Sequence, residues 1–177
     1  MLHFINICLL LLLAVVLFQD LKERQISWLL IPLLLGFFGI QGLYQLSVNE
    51  FVHFTFLNIG FVVIQLFILT IYMSIKNRRF VNIINSYLGL GDVSFFVAIA
   101  AAFSPINFIA FYIIGLLFTL LFFVALKKVI KTNLTEIPLA GALSAMMMVL
   151  ILVNQWTPGF NFYNDDFFNS MIYSLVK

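Results

Sequence analysis

Six long apolar runs, separated by short connectors that hold nearly all of the charge, constrain this chain more than any other feature. Leu2 to Gln19 contains no Asp, Glu, Lys or Arg. As a helix it would extend about 27 Å, close to the ~30 Å hydrocarbon thickness of a bilayer. Further runs follow at Ile26 to Leu46, Phe51 to Ile75, Val93 to Phe103, Ile106 to Leu126 and Ile137 to Trp156. With 64% hydrophobic and 9% charged residues among 177, the composition departs from soluble domains, where about a quarter of residues are charged. The expectation is an all-α, polytopic integral membrane protein with six transmembrane helices, whose partner along its length is the lipid bilayer. The first run is expected to be a retained span rather than a signal peptide, because Lys22 and Arg24 follow it and no basic residue precedes it.

The connectors sort by charge. Lys22 and Arg24, then Lys76, Arg78 and Arg79, then Lys127, Lys128 and Lys131 place eight of the nine basic residues in connectors one, three and five. The positive-inside rule makes those connectors cytoplasmic and puts both termini outside. Residues 1–156 thus form one membrane-embedded unit, and 157–177 an external aromatic tail. Within that tail Phe160, Tyr163, Phe167 and Met171 recur three or four residues apart, the spacing of a helix lying on the membrane surface.

Two acids fall on the cytoplasmic side at span ends: Asp20 leaves the first span, and Asp92 enters the fourth behind Gly89-Leu90-Gly91. From Asp92 to the Ser104-Pro105 break the helix would measure only about 18 Å, so the glycine-rich stretch is expected below the lipid surface. Irregular backbone there requires protein or a water-filled cavity around it, and an intramembrane acid marks a functional site. Two simpler readings stand beside this one: Asp92 as the N-cap of its helix, and Asp20 as a solvated residue at a span end.

Two carboxylates held close share a proton, because the second charge is opposed by the first. The ionised partner can accept a proton from water attacking a peptide carbonyl, while the protonated partner donates to the carbonyl oxygen. Asp20 and Asp92 are therefore the candidate catalytic pair. Gly89 and Gly91 are the candidate substrate-binding positions, able to adopt left-handed backbone angles and to admit a substrate main chain. No cofactor or metal is expected. Only His3 and His53 are present and no zinc-protease motif occurs, and Met146-Met147-Met148 reads as packing. The single Cys8 permits no intramolecular disulfide. A net charge of +2, scattered over loops, gives no basic field for nucleic acid.

Three stretches together resemble the prepilin peptidase (type IV leader peptidase) family, within the Gly-x-Gly-Asp intramembrane aspartyl proteases. Asp20-Leu21-Lys22-Glu23-Arg24-Gln25-Ile26 is similar to that family's first-aspartate segment, and Gly89-Leu90-Gly91-Asp92-Val93 to its second. The small-residue stretch Ala98 to Ala102 follows, and Glu136-Ile137-Pro138-Leu139-Ala140-Gly141 resembles the segment opening the last helix. The resemblance covers about Leu2 to Trp156. It implies a short, peptidase-only enzyme of the bacterial inner membrane that removes the basic leader of prepilin-like precursors at the cytoplasmic face. Asp20 and Asp92 would be its catalytic acids. Ser27-Trp28 stands where the family often has Pro-Asn, and Ser94 where it often has Lys, departures that bear on substrate choice. Basic loop residues such as Arg24 and Arg79 are read as topology determinants. The alternatives are a catalytically silent relative that binds pilin-like helices, and a small transporter using Asp92 as an ion site.

Overall fold

The computed structural model describes residues 2–86, 88–130, 137–156 and 161–165. Among these residues the fold is helical throughout, with no strand. The helices are α1 (Leu2–Glu23), α2 (Leu30–Leu43), α3 (Val48–Asn77), α4 (Ile83–Ser86), α5 (Leu90–Ile99), α6 (Pro105–Ile130) and α7 (Leu139–Trp156). Four of them, α1, α3, α6 through Ala125 and α7, are long and apolar enough to cross a membrane, whereas α2 and α5 are shorter. Large apolar side chains such as Leu11, Phe18, Phe56, Phe67, Leu117 and Leu121 point outward. Helices apolar on all sides belong in lipid or inside a large core, and in a chain of this size lipid is the available solvent.

Two expected spans differ in extent. The run beginning at Ile26 becomes helical only at Leu30, because Arg24 to Ser27 leave the helix and a turn closes through Leu30 N–H donating to Ser27 O at 3.0 Å. The fourth run stops as a helix at Ile99, and residues 100–104 continue without helical structure until Pro105 opens α6. That opening suits proline, whose missing N–H is an orphan in a first turn anyway. Among the described residues of the segment 80–88, the single turn α4 is the helical part.

α7 is the central helix, packed on α1 and α6, while α2 packs on α1 and α5. Leu9, Leu13, Val16, Leu34, Phe38, Phe95, Ile99, Leu143 and Met147 fill the interior between them. The non-helical stretch after α5 is buried and its carbonyls need donors, since no water reaches them. Asn58 of α3 supplies its Nδ2 to Ala100 O and Phe103 O, both at 2.9 Å. Tyr163 Oη donates to Ala101 O at 3.3 Å and to Phe38 O at 3.2 Å.

Tyr163 belongs to the part of the tail that is described, and there the expected surface helix is not found. Asn161 to Asp165 make a turn, with Phe162 and Tyr163 buried in the same core as the helices. Phe162 stacks edge-on against Phe103, and Asn107 Nδ2 donates to the carbonyls of Asn161, Phe162 and Asn164. Ser104 Oγ donates to Asp165 Oδ1. Side chains that cap buried carbonyls hold residues 161–165 in this turn. Phe160, Phe167 and Met171, on which that spacing also rested, lie outside the described residues, as do Lys131 and Glu136.

Candidate active site

Asp20 sits in the last turn of α1 and is only 6% exposed, so it is not a solvated residue at a span end. Its Oδ2 accepts the Gly141 N–H at 2.6 Å. Asp92 lies in the first turn of α5, and its Oδ1 accepts the Ala140 N–H at 3.1 Å. The two acids, far apart in sequence, thus meet on consecutive amides at the start of α7. A helix begins with N–H groups that have no intrahelical acceptor, and its positive end attracts anions. Here both needs are met by carboxylates from other helices. The α7 backbone is the ruler that sets their spacing.

The local sequence explains why α7 can do this. Pro138 closes the first turn by accepting Ala142 N–H at 3.1 Å, and the two residues that donate to the acids are small. At Gly141 a Cβ would lie 2.9 Å from Asp20 Oδ2, closer than real Cβ atoms come, and 3.2 Å from Asp20 Cβ, a tight contact. Ser144 Oγ donates back to Gly141 O at 2.7 Å, tying down the same turn.

The glycines before Asp92 act differently from the sequence-based expectation. Neither is left-handed: Gly89 is extended, with φ −71° and ψ 146°, and no glycine among the described residues has positive φ. Gly89 is the N-cap of α5, so the reading of Asp92 as that cap is displaced by three residues. Among the described residues the left-handed ones are Arg24, at φ 55°, and Arg78, at φ 52°. Gly91 serves close approach instead. Ile26 lies over it, with Ile26 Cδ1 3.4 Å and Ile26 Cβ 3.5 Å from where a Cβ would be.

A cavity of about 310 Å³ opens between these elements, lined by Asp20, Arg24, Gln25, Ile26, Gly89, Leu90, Gly91 and Asp92. All four residues expected at the site from sequence are in its wall. Sequence reasoning missed Ala140 and Gly141 as anchors, although the proline followed by small residues was a visible signal. It also gave no role to Gln25 and Ile26, and nothing in their side-chain chemistry advertises one.

No family model, curated protein or solved structure matches this chain. Function must therefore be argued from the site. Among the described residues no group of three or more His, Cys, Asp or Glu could hold a metal, and His53 packs beside Phe54. What the cavity offers is a pair of carboxylates at its wall, each with one oxygen anchored by an amide, beside a strip of main chain.

Proposed function

We propose that this protein is an intramembrane aspartyl endopeptidase of the prepilin leader peptidase type. The observation that carries the reading is the meeting of Asp20 and Asp92 on the successive amides of Gly141 and Ala140, at the wall of one open cavity. In the reaction, one ionised carboxylate takes a proton from water as the water oxygen bonds to the scissile carbonyl carbon. The protonated partner donates to the carbonyl oxygen, giving a neutral tetrahedral diol. Return of a proton from that diol to one carboxylate, with proton delivery to the amide nitrogen by the other, breaks the C–N bond. The products are a carboxylic acid and an amine, and the pair is regenerated.

The charge distribution supplies the sidedness of this proposal. The connectors holding Lys22, Arg24, Lys76, Arg78 and Arg79 lie on the same side as the acids, which the positive-inside rule assigns to the cytoplasm. Six crossings, with α2 and α5 completed by their flanking segments, put both termini outside. The membrane would be the bacterial inner membrane, and the substrate a precursor whose short basic leader precedes an apolar helix.

Replacing Asp20 or Asp92 singly by Asn tests the reading. Leader removal, followed by the mass of the precursor in membranes, is expected to fall by at least ~10³-fold in either variant, as when one member of a catalytic unit is lost, while insertion persists. Processing at the wild-type rate by either variant overturns the mechanism. Capture of an uncut precursor by the wild-type protein would assign it to binding instead.

A further inference from the structure

The two acids are alike in kind but differ in electrostatic company. Arg24 follows Asp20 by four residues, about one helical turn, and its N–H donates to Asp20 O at 3.2 Å. It is half-buried, whereas Lys22, Glu23 and Gln25 around it are exposed. It also takes a left-handed conformation at φ 55°, which a residue with a Cβ adopts only at a cost. Strain of that kind persists where the surroundings hold the residue in place. Arg24 and Asp20 stand in the wall of one cavity together with Asp92. A residue that only set topology would serve equally well as a solvated charge anywhere in this connector.

Other charge is scarce around the pair. α2 and α7, the helices packed on α1, contain no Asp, Glu, Lys, Arg or His, and α5 contributes Asp92 alone. Among the described residues, the charge that acts on Asp20 is that of Arg24, and the charge that acts on Asp92 is that of Asp20. Amides separate the acids less sharply. Asp92 accepts from Ala140 at 3.1 Å and from Gly89. Asp20 accepts from Gly141 at 2.6 Å, shorter than the usual range of about 2.7–3.2 Å and in the direction expected of a charged acceptor. A cation beside one member of a carboxylate pair favours the negative charge on that member and leaves the shared proton to the other.

We infer that Arg24 is a positioning residue for the charge of the pair: it holds Asp20 as the ionised acid that activates water, and so leaves Asp92 as the acid that donates to the carbonyl oxygen. This rests on the endopeptidase reading for the two roles, but not for the placement of the proton. Asp20 takes one proton from water as the water oxygen bonds to the carbonyl carbon, and Asp92 gives one to the carbonyl oxygen. The acids have then exchanged states. As the diol collapses, Asp92 recovers a proton from it and Asp20 delivers its proton to the amide nitrogen, which leaves as the amine when the C–N bond breaks. The pair returns to the arrangement that Arg24 favours, so its charge resets the site after each turnover.

The test reads the proton itself. Full-length protein in detergent is treated at neutral pH with dicyclohexylcarbodiimide, which adds to a carboxyl that carries its proton and remains as an N-acylurea, and the labelled peptides are quantified by mass. Wild-type protein is expected to take label on Asp92 over Asp20 by about tenfold or more, the effect of an opposite charge at close range. In Arg24→Gln that preference should fall by about tenfold. Arg24→Lys, which bears the same Cβ at the left-handed position and keeps the charge, should retain it. With a synthetic precursor peptide as substrate, R24Q should move the acid limb of the pH–rate profile to higher pH by about one unit or more, because Asp20 without its cation regains a proton sooner as pH falls. R24K should leave that limb in place. A merely structural role for Arg24 would move neither the label preference nor the limb. Label that favours Asp20 in wild type, an unlabelled Asp92, or the same preference in wild type and R24Q overturns the inference. The two readings part cleanly. A preference that follows the charge at position 24 in a protein that never cuts removes the enzyme and keeps the hold of Arg24 on Asp20. Cutting by wild type with a preference indifferent to R24Q does the reverse.

Discussion

Position 141 has no room for a side chain, because the atoms a Cβ would meet belong to the acid it anchors: Asp20 Oδ2 at 2.9 Å and Asp20 Cβ at 3.2 Å. Asp20 is enclosed and cannot step aside without losing the Gly141 amide. Gly141→Ala is therefore expected to lower the kcat of the proposed proteolysis by roughly tenfold or more, since an ångström of misplacement at reacting groups is costly, with KM less affected. Gly60 is the control. Nothing lies within 4 Å of a Cβ placed there, and a helical Gly→Ala without clash stabilises by about 0.4–1 kcal/mol through the unfolded chain. Cleavage kinetics on the two variants, with thermal unfolding of each in detergent, separate displacement of the acid from general damage. Equal activity of both would mean that the Asp20–Gly141 contact does not set the geometry. Gly91→Ala should fall between them, because its new methyl meets only the flexible end and flank of Ile26 at 3.4–3.5 Å.

Among the helices of more than one turn, α5 is the shortest. It has ten residues, about 15 Å at 1.5 Å per residue, and its chain then continues through a buried, non-helical stretch whose carbonyls are met by Asn58 and Tyr163. Asn58→Ala leaves Ala100 O and Phe103 O without that donor. Each buried group left unmade costs about 1–3 kcal/mol, so for the two carbonyls a loss of ~2–6 kcal/mol is expected, read as a fall in unfolding temperature with no change in the Asp20 and Asp92 anchors at the far end of α5. Unchanged stability would show that another donor replaces Asn58. The sequence announced the shortness of this helix through Ser104-Pro105, but not its cap, because an asparagine in an apolar run bears no mark of which carbonyl it will reach. The start of α3 is legible in the sequence. Ser47 and Glu50 exchange side-chain and backbone hydrogen bonds as a capping box, and Ser-x-x-Glu before an apolar run is its sequence signature. At the site, Asp20 and Asp92 were legible because charge is rare in such a chain. Ala140 and Gly141 act through their amides, which every residue possesses, and so left only the weak trace of small size.

On the scale of the whole molecule, the contacts alternate between two ends, and that alternation decides how many times the chain traverses its own depth. Asp20 at the close of α1, Gly89 and Asp92 at the opening of α5, and Ala140 and Gly141 at the opening of α7 gather at one end. At the other, Gln41 near the close of α2 donates to Asn6 near the start of α1 at 3.4 Å. From Asn6 to Asp20 is about 21 Å along a helix, and α2 returns over a similar distance, so the shorter helix passes through the same layer as the longer one beside it. α3 then begins at the Gln41 end, where Asn58 in its first half reaches the residues after α5, and its 30 residues extend about 45 Å back. If every pass is a membrane crossing, Ser27 and Asn77 lie on one side and Asn49 on the other. Each of these residues is exposed, so a cysteine at each, in a Cys8→Ser background, can report its side. A membrane-impermeant maleimide applied to intact cells is expected to label Asn49→Cys, and to label Ser27→Cys and Asn77→Cys only after permeabilisation. If Ser27→Cys and Asn49→Cys label alike, α2 does not cross. Because α3 is long enough to cross whichever way α2 behaves, Asn77→Cys must then oppose both, and the proposed cytoplasmic face for the acids would no longer agree with the basic residues after α3.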